Sequence, residues 1–154
     1  MKKGDQGVIL IAEDDEEDFR LVERAFQESR LSKKIIRVHN GQELIDYLLG
    51  NGSAADSPTA PRPDLILLDL DMPVKDGREA LREIKTNDCL KKIPIVILTA
   101  SRSEEDIVRS YEQGASSVIR KPLRYSELVR VIRGLIAYWF GIVILPDRSK
   151  EGEA

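Results

Sequence analysis

The chain has 154 residues, 42% hydrophobic and 33% charged, which is enough for one domain with a substantial core. A formal net charge of -3 gives no reason to expect nucleic acid, which calls for a basic surface. One cysteine, Cys89, rules out an internal disulfide, and because MKKGDQG is not followed by an apolar stretch and the longest apolar run is residues 135–145, neither a signal peptide nor a bilayer span of about 20 residues is expected. The protein is read as cytoplasmic, with no membrane partner.

In chain order, VILIA (8–12) is a continuous apolar run of strand length. FRLVERAF (19–26) puts Phe19, Val22 and Phe26 at helical spacing. IIRV (35–38) reads as a strand and GQELIDYLLG (41–50) as a helix closed by Gly50. Residues 51–63 hold glycine, serine and three prolines and read as a surface loop. LILLDL (65–70) is a strand, REALREIK (78–85) a helix, and IPIVILT (93–99) a strand. Ser103 before Glu104, Glu105 and Asp106 predicts an N-cap with an acidic first turn, opening a helix that stops at Gly114. SVIR (117–120) is a short strand. Leu128, Val131, Ile132, Leu135, Ile136 and Trp139 form an apolar stripe on a last helix that runs to about Phe140. Five strand–helix pairs in alternation, with unbroken apolar strands, predict an α/β fold with a doubly wound parallel sheet. Residues 1–140 form one domain, and 141–154 an extension or dimerisation arm.

In such sheets the ligand lies beyond the carboxyl ends of the strands. Glu13, Asp14 and Asp15 follow the first strand, Asp69 and Asp71 the third, Thr99 and Ser101 the fourth, and Lys121 and Pro122 the fifth. Taken singly, each has a plain reading: acids before a helix as dipole partners, Thr99 as a strand-end cap, Lys121 as a solvated side chain. Together on one sheet edge they call for more. Like charges about 4 Å apart repel by roughly 4 kcal/mol near a surface, so Glu13, Asp14 and Asp69 can share a pocket only around a cation. Hard oxygen donors suit Mg²⁺. An aspartate held there opposite Lys121 is a nucleophile for phosphoryl transfer through an aspartyl phosphate, with Thr99 donating to a phosphoryl oxygen. Glycine-rich phosphate loops are absent from the sequence. His39, Cys89 and Met72 read as structural or exposed.

ILIAEDD, DLILLDLDMPVKDG, PIVILTAS and VIRKPL together resemble the response-regulator receiver domain over about residues 7–137. The resemblance implies a five-stranded, flavodoxin-like sheet of order 2-1-3-4-5, with Asp69 as phosphoacceptor. It implies metal ligation by Asp14, Asp69 and the backbone carbonyl of Asp71, with Glu13 acting through water. Thr99 and Lys121 match the switch hydroxyl and the phosphate-contacting lysine, Pro73 and Gly77 the loop residues, and a cis peptide before Pro122 is usual. Val118 departs from the pattern, because tyrosine or phenylalanine is frequent there. The proline-containing insertion and the tail AYWFGIVILP resemble single-domain regulators partnered with phytochrome-type sensor histidine kinases. The resemblance implies a two-component phosphorelay protein that signals through protein contacts rather than as an enzyme.

Two other functions fit parts of the pattern. Asp69-Leu70-Asp71 is similar to the D-x-D of haloacid-dehalogenase-type phosphatases, but follows the third strand and is soon interrupted by Pro73. A phosphorylation-independent binding module leaves the acids, Thr99 and Lys121 unexplained. The tail suggests a homodimer. Past Gly141, Ile142, Val143, Ile144 and Leu145 have strand chemistry and, with Trp139 and Phe140, more apolar surface than a monomer leaves open. These six residues are expected to lie across a partner subunit.

Overall fold

The computed structural model of the chain describes residues 7–30, 33–50 and 61–146. Expectations for residues 51–60, for the first six residues and for 147–154 lie outside them. The elements are β1 (Val8–Ala12), α1 (Glu16–Glu28), β2 (Lys34–Val38), α2 (Gly41–Leu49), β3 (Leu65–Leu68), α3 (Gly77–Lys85), β4 (Ile95–Thr99), α4 (Glu104–Glu112), β5 (Ser117–Arg120) and α5 (Tyr125–Gly141). The five strands are parallel in the order β2-β1-β3-β4-β5.

The strands are apolar throughout because helices cover both faces of the sheet. Side chains alternate across a strand, and the core divides accordingly. Leu10, Ile66, Leu68, Ile95 and Ile97 pack with Leu44 of α2 and with Leu81 and Ile84 of α3. Ile9, Ile11, Leu65, Leu67, Val96 and Leu98 pack with Val22 and Phe26 of α1 and with Leu128 and Ile132 of α5. Burying a side chain the size of Phe26 contributes about 2–3 kcal/mol, so the two layers hold the central strands rigidly. α4 is the exception. Its fully buried residue is Ser110, while Val108 and Tyr111 are exposed.

All five helices follow the carboxyl ends of strands, and four of them have a polar cap. Asp15, Asn40, Asp76 and Ser103 accept from the backbone N–H groups of Asp18, Glu43, Glu79 and Asp106, a bond that contributes typically about 1 kcal/mol. Gly77 starts α3 against the end of β3, where a Cβ would collide with the carbonyl oxygen of Asp69. Only glycine lets α3 seat this close to that residue.

Three details differ from the sequence reading. β3 ends at Leu68 rather than Leu70, although the N–H of Asp69 still donates to Ala12. α1 starts at Glu16, one turn before Phe19, because Asp15 caps it and its first turn is acidic. The tail 142–146 is not a strand. The N–H groups of Ile142 and Val143 both bond the carbonyl of Tyr138. Leu145 and Pro146 then line a small groove with Pro63, Ile93 and Pro94 at the opposite end of the sheet from the acids. The chain thus folds part of the tail back on itself, since those residues offer Leu145 apolar cover. Trp139 and Phe140 are half-buried against the α1–α5 layer rather than fully open, whereas Ile142 and Ile144 stay 71% and 95% exposed.

Candidate functional site

The parallel pairing of β1 with β3 brings Glu13 and Asp69 side by side. Asp69 is only 6% exposed and Glu13 4%. Carboxylate oxygens of Glu13, Asp14 and Asp69 lie within 4.8 Å of one another, and Asp14 is exposed. Across them stands Lys121, brought over by the continuation of β5: its N–H donates to the carbonyl of Thr99 at 2.8 Å. Its ammonium donates to Glu13 Oε1 at 2.7 Å, Asp18 Oδ2 at 2.8 Å and Asp69 Oδ2 at 3.4 Å.

The charges are out of balance. Burial pushes the Glu13 carboxyl up to about 7, against the Lys121 hydrogen bond that pulls it down, and Asp69 pushes it further up. Burial likewise raises the Asp69 carboxyl above its ordinary value, opposed by the field of Lys121 and by the N–H of Asp71. Burial also works against the charge on Lys121. Its hydrogen bonds to Asp18 and Glu13 and the fields of Asp69 and Glu13 outweigh that, so its pKa lies above the usual lysine value. Lys121 is therefore a fixed cation, but one ammonium does not compensate this many carboxylates. The donors are hard oxygens, and the missing positive charge suits a divalent cation.

Thr99 is fully buried at the end of β4, and its Oγ1 accepts from the N–H of Ser101. The side chain of Asp71 does not join the acid cluster. It is exposed and pairs with Arg78 at 3.2 Å, which leaves its backbone for the site. Among the described residues every peptide bond is trans, the one before Pro122 included, as X–Pro bonds prefer by about 0.5–1 kcal/mol. This differs from the cis bond usual in the family. Val118 is half-buried on β5, and its N–H donates to the hydroxyl of Tyr111 from α4. An aromatic ring therefore stands beside this position, supplied by the neighbouring helix. His39 is exposed, with Nδ1 3.0 Å from Glu43, and Cys89 is exposed.

Sequence reasoning did not single out Asp18 or Arg78, and it read Asp106 only as an acid in the first turn of a helix. Asp18 had a signal, four residues after Asp14 in an unbroken acidic run. The pairing of Arg78 with Asp106, 28 positions apart, had none. The Arg78 guanidinium forks onto both oxygens of Asp106 at 2.9 and 2.6 Å and also reaches the carbonyl of Leu70 and the Asp71 and Asp76 side chains. Its hydrogen bonds hold the Asp106 carboxyl down at about 2, helped by the Ser101 hydroxyl.

Residues 9–133 match the protein-family model for the response regulator receiver domain. The chain is 40% identical over 139 residues to response regulator Rcp1 of Synechocystis, covering 90% of this chain and 92% of that protein. In structure it resembles the phosphorylated cyanobacterial phytochrome response regulator RcpA, with a TM-score of 0.85 and 38% identity over 92% of this chain and 99% of the other. The Mn²⁺-bound form of Rcp1 is similar at a TM-score of 0.83 and 38% identity, with the same coverage. The Glu13, Asp14 and Asp69 oxygens fit a divalent metal of that kind. The phosphatase reading finds no support, because the D-x-D segment sits after the third strand of a receiver sheet of order 2-1-3-4-5.

Glu13 fixes how cation binding depends on pH. Below about 7 the metal-free carboxyl holds a proton, and a cation at these oxygens displaces it. Affinity for a divalent cation should fall as pH drops from about 8 to about 6, by up to about tenfold per pH unit for one displaced proton. Calorimetric titration with Mg²⁺ across this range checks the slope, and Glu13→Gln should flatten it.

Proposed function

The chain belongs to the response regulator receiver family, and we propose that Asp69 is its phosphoacceptor, taking a phosphoryl group from a phosphohistidine of a sensor histidine kinase. The observation that carries this is a buried carboxylate at the end of β3 with the Lys121 ammonium at 3.4 Å. A carboxylate oxygen of Asp69 attacks phosphorus. The new O–P bond forms as the N–P bond breaks, and the departing imidazole nitrogen keeps the electron pair and takes a proton from solvent. Lys121 stabilises charge on the transferring group, and Thr99, buried one strand away, turns its hydroxyl towards a phosphoryl oxygen. Asp14, Asp69 and the backbone carbonyl of Asp71 would hold Mg²⁺, with Glu13 acting through water. That ion neutralises the phosphoryl oxygens when bound.

Similarity to Rcp1 and RcpA over most of the chain supports a phytochrome-type kinase as the donor. Output goes through protein contacts in the cytoplasm, with neither nucleic acid nor membrane as partner. Asp69→Asn should abolish labelling by acetyl phosphate, and a chelator should abolish it in the unaltered protein. Undiminished label on the Asp69→Asn variant, read by intact mass or Phos-tag electrophoresis, would overturn the assignment.

The second part of the proposal is a homodimer formed by α5 and the tail. Leu145 is half-buried within the chain, but Ile142 and Ile144 are left open beside Tyr138, itself half-exposed. A two-fold partner presenting the same helix would cover Ile142 and Ile144 and shield Trp139, Phe140 and Val143. Light scattering should give a dimer for the intact chain and a monomer for one ending at Phe140. A monomeric intact chain, or equal dimerisation of both, would rule this out.

A further inference from the structure

Lys121 serves three carboxylates, and the metal and phosphoryl roles assign a task to only two of them. An ammonium has three N–H donors. Here they go to Glu13 at 2.7 Å, Asp18 at 2.8 Å and Asp69 at 3.4 Å, so the longest contact is to the acceptor. Glu13 and Asp69 belong to the acid cluster. Asp18 stands outside it, in the first turn of α1, with a side chain 42% exposed. It is held in place all the same: its N–H bonds Asp15 Oδ1 at 2.9 Å, and the N–H of Asp15 bonds Glu13 Oε2 at 3.1 Å. A short chain of hydrogen bonds thus fixes Asp18 relative to the buried site.

We propose that Asp18 is a positioning residue that competes with the phosphoryl group for Lys121, holding the ammonium to one side of Asp69 in the resting protein and yielding it to a phosphoryl oxygen once Asp69 is modified. This rests on Asp69 being the phosphoacceptor. The choice of which partner lets go follows from burial. Releasing Glu13 would strand a buried carboxylate, which is strongly unfavourable. Releasing Asp18 exposes to water a group that is already nearly half hydrated, at the small cost of an exposed ion pair. A phosphoryl dianion on Asp69 outbids the single charge of Asp18 for the same N–H. The exchange also cuts the side-chain tie between the start of α1 and the end of β5, so α1 is informed of the state of Asp69.

The test is the affinity of the intact chain for fluoroberyllate, a tetrahedral phosphoryl mimic that binds aspartate carboxylates, by calorimetry in saturating Mg²⁺. Asp18→Asn keeps the size and the helix start but removes the competing anion, so affinity should rise by roughly two- to fivefold, the scale of an exposed ion pair. Asp18→Glu should return it towards the starting value. Glu17→Gln removes the same charge from the same turn at a side chain that is exposed and outside the three bonds of Lys121, and should leave affinity unchanged. Unchanged or weaker binding by the Asp18→Asn variant would overturn the proposal. So would an equal gain in the Glu17→Gln variant, which would mark a general charge effect. If the unaltered chain fails to bind fluoroberyllate, or Asp69→Asn still binds it, the reading of Asp69 falls and this inference falls with it.

Discussion

Two carboxylates, Glu13 and Asp69, are buried side by side at the carboxyl edge of the sheet with one ammonium between them. Everything else in the molecule accommodates that arrangement. Like charges at this spacing repel by roughly 4 kcal/mol even with the partial screening of a near-surface site. A loose scaffold would relieve the strain by letting them part. This one does not, because β1 and β3 are locked by apolar layers on both faces and α3 is pressed against the carbonyl of Asp69 through Gly77. The repulsion is therefore retained in the resting protein. Burial raises the pKa of both Glu13 and Asp69, and the field of Asp69 adds to the rise at Glu13; both are relieved by whatever brings positive charge.

The sequence made most of this legible because the fold class follows from patterning. Strand-length apolar runs alternating with helical stripes imply a parallel sheet, and a parallel sheet implies a site at the carboxyl ends, which is where Glu13, Asp14, Asp69 and Lys121 were found. Within the acidic run 13–18, however, residue type says nothing about direction. Asp15 turned out to cap α1 and Asp18 to bind Lys121, and only the path of the backbone separates these roles. The tail misled for a related reason. Residues 142–145 have the composition of a strand, but alternate residues meet different surroundings, and Leu145 found cover at the far end of the sheet while Ile144 did not.

The connection from the site to α4 was also out of reach of spacing arguments. Arg78 gathers the β3–α3 loop, through Leu70, Asp71 and Asp76, and ties it to Asp106 in the first turn of α4. Ser101 bonds the same carboxylate and also the Oγ1 of Thr99 through its backbone N–H. Any movement of Thr99 therefore acts on a helix that has little buried apolar surface of its own. At its other end α4 holds β5 through Tyr111 and the N–H of Val118. The ring that the family often carries on β5 is absent at Val118, and one from α4 stands next to it.

The central claim is that burial and crowding leave Glu13 short of positive charge until a cation arrives. The most direct test is a carbon-13 NMR titration of the Glu13 side-chain carboxyl, with and without Mg²⁺. Without metal the midpoint should lie near 7, and with saturating Mg²⁺ the carboxyl should stay ionised through the same range. A metal-free midpoint at the ordinary value of 4.5 would contradict the account, because the site would then need no further charge.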